Sequence, residues 1–285
     1  MSPSSEGDLG ALGAEMAWPP GHRLLESEFL LPLLFYTALF RLASHAAQTF
    51  GWQSYQGFKQ YRLRNLSICL LHSCLAGSWA LSFFVTHPKV MLYDTLHWYE
   101  PWAAHLPIMS IGYFLNDTWD MARHEISKWT IELFLHHAAS IVAFLFAILP
   151  HKFVPYAYWA LLMEVNSIFL HIRSLMQISG GDKSYPQAYS LVKTFNIATF
   201  VVFRFAVQAW QIHWGFVSLH LFHWCYAVIS IGGGTLFLTI NAVLFYRIIS
   251  SDGLLGERLA AKSGTTRDDQ SFVKAIGGEA KKKDD

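Results

Sequence analysis

Long apolar runs dominate this chain, and they decide most of what it can fold into. Seven stretches approach the roughly 20 apolar residues that a membrane-crossing helix needs: about 29–47, 65–86, 103–122, 131–149, 153–172, 194–216 and 219–246. Inside a bilayer no water satisfies backbone N–H and C=O groups, so segments of this kind must be helices bonded within themselves. The composition agrees. Of 285 residues, 53% are hydrophobic and 14% charged, against about 25% charged in soluble domains. The expected fold is an all-α polytopic membrane protein with about seven transmembrane helices. The first run is the least continuous, because Arg41 and His45 interrupt it. A net charge of +1 leaves no electrostatic footprint for a nucleic-acid partner. Cys69, Cys74 and Cys225 lie in apolar runs, without disulfide or metal-type spacing.

The flanks and loops set organisation and orientation. Residues 1–28 read as a disordered arm, followed by a first span and loop over 29–57, a main domain over 58–250 and a disordered cytosolic tail over 251–285. No small-residue cleavage site follows a hydrophobic core in the arm, so no removable signal peptide is expected. The first, third and fifth loops carry Lys59, Arg62 and Arg64, then Arg123 and Lys128, then Arg173, Lys183 and Lys193. The second and fourth hold only Lys89 and Lys152, and the sixth holds neither Lys nor Arg. The positive-inside rule therefore puts the odd loops and the tail in the cytosol and the N-terminus outside.

With that orientation, polar residues from five helices fall at one depth, in the cytosolic half: His72, then Asn116, Asp117 and Asp120, then Glu132, His136 and His137, then Glu164, Asn166 and His171, then Asn196 and Arg204. Ionisable groups inside a membrane are costly and by default face a bundle interior or an aqueous cavity. Asp117 and Asp120 are three apart, Glu132 and His136 four apart, so each pair can share a helix face. Adjacent His136 and His137 point about 100° apart, which suits one to a cavity and the other to a neighbouring helix. Hydrogen bonding between helices is the plain role for such a pair; a place in a site is the other. Arg204 is expected to be the counter-ion of a carboxylate in the layer, since an unpaired buried charge is expensive. His220 and His223 read as interfacial side chains with their polar ends in water, and Trp98, Trp102 and Trp214 as interfacial anchors.

Two chemistries suit this layer. In acyl transfer a neutral histidine takes a proton while a carboxylate fixes its tautomer. In a metal site His136, Asp117, Asp120 and Glu164 would supply ligands, but their spacing lacks the regularity of a metal-binding helix, and no metal site is expected. No nucleophile elbow exists to support a covalent serine mechanism.

The blocks "HSCLAGSWALSFF" (72–84), "SIGYFLNDTWDM" (110–121), "ELFLHHAAS" (132–140), "LLMEVNSIFLHIRSLMQIS" (161–179) and "KTFNIATFVVFRFAVQAW" (193–210) together resemble the TLC-domain family. That family includes ceramide synthases, translocating-chain-associating membrane proteins and smaller TLC-domain-containing proteins. The resemblance implies a six-helix TLC bundle over about 58–250, preceded by one extra span, with a lipid-accessible cavity. Among the smaller members the chain is most similar to those that adjust phospholipid composition and fluidity. This implies a regulator that limits polyunsaturated acyl chains in phosphatidylethanolamine, with membrane phospholipids as partners, no resident cofactor and a place in the plasma membrane. The alternative is an acyl-CoA-dependent lipid acyltransferase, with acyl-CoA as co-substrate. Its base would be His136 or His137, oriented by Asp117 or Asp120, with Asn116, Glu164, Asn166, His171, Arg204 and His72 lining the lipid cavity. Ceramide synthases follow their His-His pair with a His-Asp-x-x-Asp motif. Here the nearest equivalent, Asn116 to Asp120, precedes the pair and begins with Asn, which speaks against direct ceramide synthesis. Lys282 and Lys283, fourth and third from the end, match a dilysine retrieval pattern and point instead to the endoplasmic reticulum.

Overall fold

In a computed structural model, residues 17–124 and 128–254 are described, with the side chains of Lys128 and Trp129 excepted. Most of the expected N-terminal arm, and the tail beyond Leu254 with Lys282 and Lys283, lie outside those residues. The helices are α1 (Ser27–Phe50), α2 (Gly57–Thr86), α3 (Pro101–His124) and α4 (Lys128–Ile148). Next come α5, in two pieces (Val154–Leu161 and Glu164–Ser179), α6 (Pro186–Val217) and α7 (Trp224–Ser251).

Proline and backbone chemistry place several of the breaks. Pro101 opens α3 and Pro186 opens α6, where the missing N–H removes a donor that has no intrahelical partner in any case. His87, ahead of Pro88, ends α2 in a non-helical conformation, as a residue before proline tends to do. Between α4 and α5 the chain takes a tight path through left-handed His151 and Phe153, with φ of 55° and 57°. Burial of the Phe153 ring against Trp214, Phe222 and Tyr226 holds that conformation, which is uncommon for a non-glycine residue.

Among the described residues five helices are long and apolar enough to cross a membrane by themselves: Ser27–Phe50, Gly57–Thr86, Thr130–Ile148, Pro186–Val217 and Trp224–Ser251. The other two expected spans are different in kind. Helix α3 has 24 residues, about 36 Å at 1.5 Å per residue, but its polar residues turn toward neighbouring helices rather than lipid. Helix α5 is broken at Leu162 and Met163. Seven is therefore an approximate count.

Helices α4, α3, α2, α5, α6 and α7 follow one another as neighbours, and the segment Val228–Gly233 of α7 returns to α4, closing a ring. Helix α1 packs outside it, on α3 and α2. Two glycines permit the closest approaches. A Cβ on Gly77 would stand 2.9 Å from Val165 N, and one on Gly112 would stand 2.9 Å from Thr37 N. The arm ends earlier than expected: Trp18 packs edge-on to Phe146 and Trp224, and Arg23 donates to Leu149 O at 2.8 Å. The helix ends that carry Arg62, Arg64, Arg123, Arg173 and Arg247 lie on one side of the bundle, its basic end, where Tyr55 bonds Ser179 O, Arg173 bonds Asp252 and Arg247 bonds Glu132.

Candidate functional site

The polar side chains of these helices gather in separate constellations. The first joins α2, α3 and α4. Asn65 Nδ2 donates to Asp117 Oδ1 at 2.6 Å, and Asp117 Oδ2 lies 3.7 Å from His137 Nε2. The other ring nitrogen of His137 lies 3.2 Å from Thr118 Oγ1, while Phe114 stacks on the ring at 4.8 Å. Asp117 and His137 are 2% and 4% exposed, so Asp117 is not a solvated residue at the membrane edge. A buried carboxylate that accepts a hydrogen bond and meets an imidazole has its desolvation partly offset.

The second constellation lies between α2, α3 and α5. His72 rests flat on Tyr113 at 4.0 Å, with Nε2 at 3.1 Å from Ser110 Oγ and Nδ1 at 3.9 Å from Glu164 Oε2. Ser73 Oγ donates to the same Glu164 oxygen at 2.6 Å. Glu164 begins the second piece of α5, where the backbone tightens through bonds from Met163 N to Ala160 O and from Val165 N to Leu162 O. Such a short 3₁₀-like stretch inside a helix often marks a functional position.

The third joins α5, α6 and α7. Arg204, in the π-helical segment Val201–Ala206, donates from Nε to Asn166 Oδ1 at 2.6 Å, from one terminal nitrogen to Asn241 Oδ1 at 2.7 Å and from the other to Ser167 Oγ at 2.9 Å. Asn166 in turn donates to Asn196 O at 2.9 Å. The expected carboxylate partner is not in contact: among the described residues Arg204 makes no ion pair, and neutral oxygens cage its charge.

The remaining expected residues divide likewise. His136 is half-buried, edge-on to Phe237 at 5.1 Å, and neither of its ring nitrogens has a hydrogen bond among the described residues. Glu132, one turn earlier and also facing α7, takes a two-pronged bond from Arg247 at 3.1 and 3.2 Å. His171 is half-buried on α5. Asp120 lies 3.7 Å from His124, and Asn116 donates to Ser44 Oγ at 3.0 Å. At the far end His223 Nδ1 accepts from the Cys225 backbone N–H at 3.3 Å, and Trp214 sits within an aromatic cluster with Phe153, Tyr156, Trp210 and Phe222. These contacts are more specific than interfacial anchoring. Among the described residues no three His, Cys, Asp or Glu side chains converge as metal ligands would.

Two hollows stand out among the described residues, and neither gathers the whole layer. A polar cleft of about 620 Å³ lies between α1, α2 and α3 at the basic end, with Asn65, Asn116, Asp117 and Asp120 in its wall and Arg41, Arg64 and Arg123 around it. A small apolar cavity of about 60 Å³ lies between α4, α5, α6 and α7, lined by Phe144, Met163, Gln208, Trp214 and Phe237 among others. His136, His137, Glu164 and Arg204 line neither. Sequence reasoning missed Asn65, Ser73 and Ser110, each of which holds a titratable side chain in place. The signal for two of them was present: Asn65, Cys69, His72, Ser73, Ala76, Gly77 and Ala80 form a small and polar stripe at helical spacing, the mark of a packed face in a membrane helix.

The TLC domain family model matches residues 62–250. TLC domain-containing protein 2 of Danio rerio is 32% identical over 200 residues, covering 70% of this chain and 79% of that protein. TLC domain-containing protein 1 of Gallus gallus is 32% identical over 200 residues, 67% of this chain and 74% of its own length. TLC domain-containing protein 2 of Homo sapiens is 31% identical over 192 residues, 67% and 71% respectively. No solved structure matches the chain.

Proposed function

The chain belongs to the TLC-domain family, and from that premise we propose that it regulates the acyl composition of membrane phospholipids, keeping polyunsaturated chains in phosphatidylethanolamine low. The observation that carries this reading is the position of Asp117. Its carboxylate stands in the wall of the polar cleft and at the same time faces His137 inside the ring. Occupancy of the cleft is thereby coupled to the ring interior through one side chain. Both nitrogens of His137 already face protein oxygens, an arrangement that suits sensing better than proton abstraction, for which one nitrogen must reach the substrate. The test is the phospholipid profile of cells lacking the protein and resupplied with wild type, His137→Ala or His136→Ala at equal membrane abundance. Wild type should lower the polyunsaturated share and His137→Ala should not. An unchanged share with wild type would refute the reading.

A second reading, acyl transfer from acyl-CoA, has its own support. His136 keeps both ring nitrogens unengaged among the described residues, and arginines surround the cleft, as the phosphates of an acyl-CoA would require. Purified protein given labelled acyl-CoA and lysophospholipid should form product that is lost in His136→Ala; no turnover in wild type would remove this reading. The membrane we propose is the plasma membrane, with the basic end in the cytosol. Wild type retained in the endoplasmic reticulum, and released to the surface by Lys282→Ser with Lys283→Ser, would favour retrieval instead.

A further inference from the structure

The polar cleft has a charge pattern of its own, and six of its seventeen wall residues come from α1, which lies outside the matched domain. Two carboxylates, Asp117 and Asp120, stand at its α3 side, 2% and 8% exposed. Three guanidinium groups surround it, and none makes an ion pair among the described residues. Arg41 donates to Asn116 Oδ1 at 3.3 Å, Arg64 to Gly51 O at 3.0 Å, and Arg123 lies over the Trp119 ring at 4.5 Å. Among the described residues the His124 ring, 3.7 Å away, is the one ion-pair-distance neighbour of Asp120. Cations and anions thus share one hollow without neutralising each other directly. A purely anionic ligand would meet the carboxylates, and a purely cationic one would meet the arginines.

The cleft also opens toward lipid. Leu42 belongs to its wall and is 67% exposed, and Leu39, Phe35 and Leu31 continue from it along one exposed face of α1 at helical spacing. A ligand lodged in the cleft can therefore lay apolar chains along α1. A volume of about 620 Å³ lies within the usual range of small-molecule sites, roughly 300–1,000 Å³.

We propose that this cleft binds a zwitterionic lipid head group, a phosphate diester carrying a primary amine, with the phosphate on Arg41 and Arg123 and the ammonium on Asp120 and Asp117. The proposal rests on the reading that the protein acts through membrane phospholipids, and it adds the place where the head group is held and the residues that hold it. A primary ammonium has three N–H donors to give the carboxylates, whereas a quaternary one has none. The phosphate oxygens accept charge-assisted bonds from guanidinium groups that now bond only neutral acceptors or stack on an indole.

The test uses full-length protein in detergent, titrated by calorimetry with glycerophosphoethanolamine, glycerophosphocholine, inorganic phosphate, ethanolamine and coenzyme A. Glycerophosphoethanolamine should bind at least about tenfold more tightly than the other four, and Asp120→Asn, Arg41→Gln and Arg123→Gln should each weaken it roughly tenfold. Arg41→Lys should recover part of the loss, and Arg123→Gln, on an exposed side chain, keeps the test valid if Arg41→Gln does not fold. In bilayer discs of phosphatidylcholine containing a tenth part of phosphatidylethanolamine, wild type should retain phosphatidylethanolamine through purification and Asp120→Asn should not. Equal binding of inorganic phosphate or of glycerophosphocholine, tighter binding of coenzyme A, or no binding of glycerophosphoethanolamine would each overturn the proposal. The cellular acyl profile is read separately: a head-group site that fails here leaves the His137 result standing, and the reverse also holds.

Discussion

Two buried charges in this bundle, Asp117 and Arg204, are handled in opposite ways. Arg204 is fixed by neutral oxygens from Asn166, Ser167 and Asn241 on two neighbouring helices, and it lines neither hollow. Asp117 has a neutral donor in Asn65, an imidazole 3.7 Å away and a place in the wall of a cleft. The first arrangement ties α5, α6 and α7 together with directional bonds where apolar contacts alone specify little. The second leaves a carboxylate able to respond to what enters the cleft. Both side chains are buried; their surroundings differ, and the surroundings assign the roles.

The largest effect expected from breaking this comparison is on folding. Arg204→Leu removes the cation and strands three buried acceptors, which should cost about 3–5 kcal/mol. The expected result is loss of monodisperse protein on size-exclusion chromatography, with Arg204→Lys intermediate. A stable, monodisperse Arg204→Leu protein would mean that the cage is not a structural tie. Next in size is Gly77→Ala, whose methyl would press on Val165 N at 2.9 Å and Glu164 C at 3.0 Å. Separating α2 from α5 should cost about 1–3 kcal/mol, read as a lowered thermal midpoint. The pairing of Ser73 with Glu164 would loosen at the same time, while the Asp117 side stays intact. The smallest effect belongs to Glu132→Ala. Glu132 and Arg247 are 50% and 31% exposed, and an exposed pair is worth about 1 kcal/mol or less. A midpoint shift as large as that of Gly77→Ala would show that this pair closes α4 on α7.

The helical class and the six-helix core were legible because each apolar run is long and the bilayer permits little else for such runs. The site was legible in one coordinate only. Position along a helix gives an expected depth, and by that measure alone His72, Asp117, His137, Glu164 and Arg204 fall in one group. Rotation about each axis then decides the partner, and that depends on which helices are neighbours. Glu132 and His136 share a face as their spacing implies, yet the neighbour that face meets is α7, through Arg247 and Phe237. Arg41 looked like an interruption in an otherwise apolar first span; it is a wall residue of the cleft.

The central claim is that Asp117 links the cleft to His137 and through that link sets the phospholipid profile. Asp117→Asn tests it most directly, since the amide keeps the shape of the carboxylate and removes its charge. The measurement is the polyunsaturated share of phosphatidylethanolamine in cells lacking the endogenous protein and expressing wild type or Asp117→Asn at matched membrane abundance. The account predicts that Asp117→Asn leaves the share at the level of cells without the protein, while its chromatographic profile stays that of wild type. A wild-type share with Asp117→Asn would contradict it.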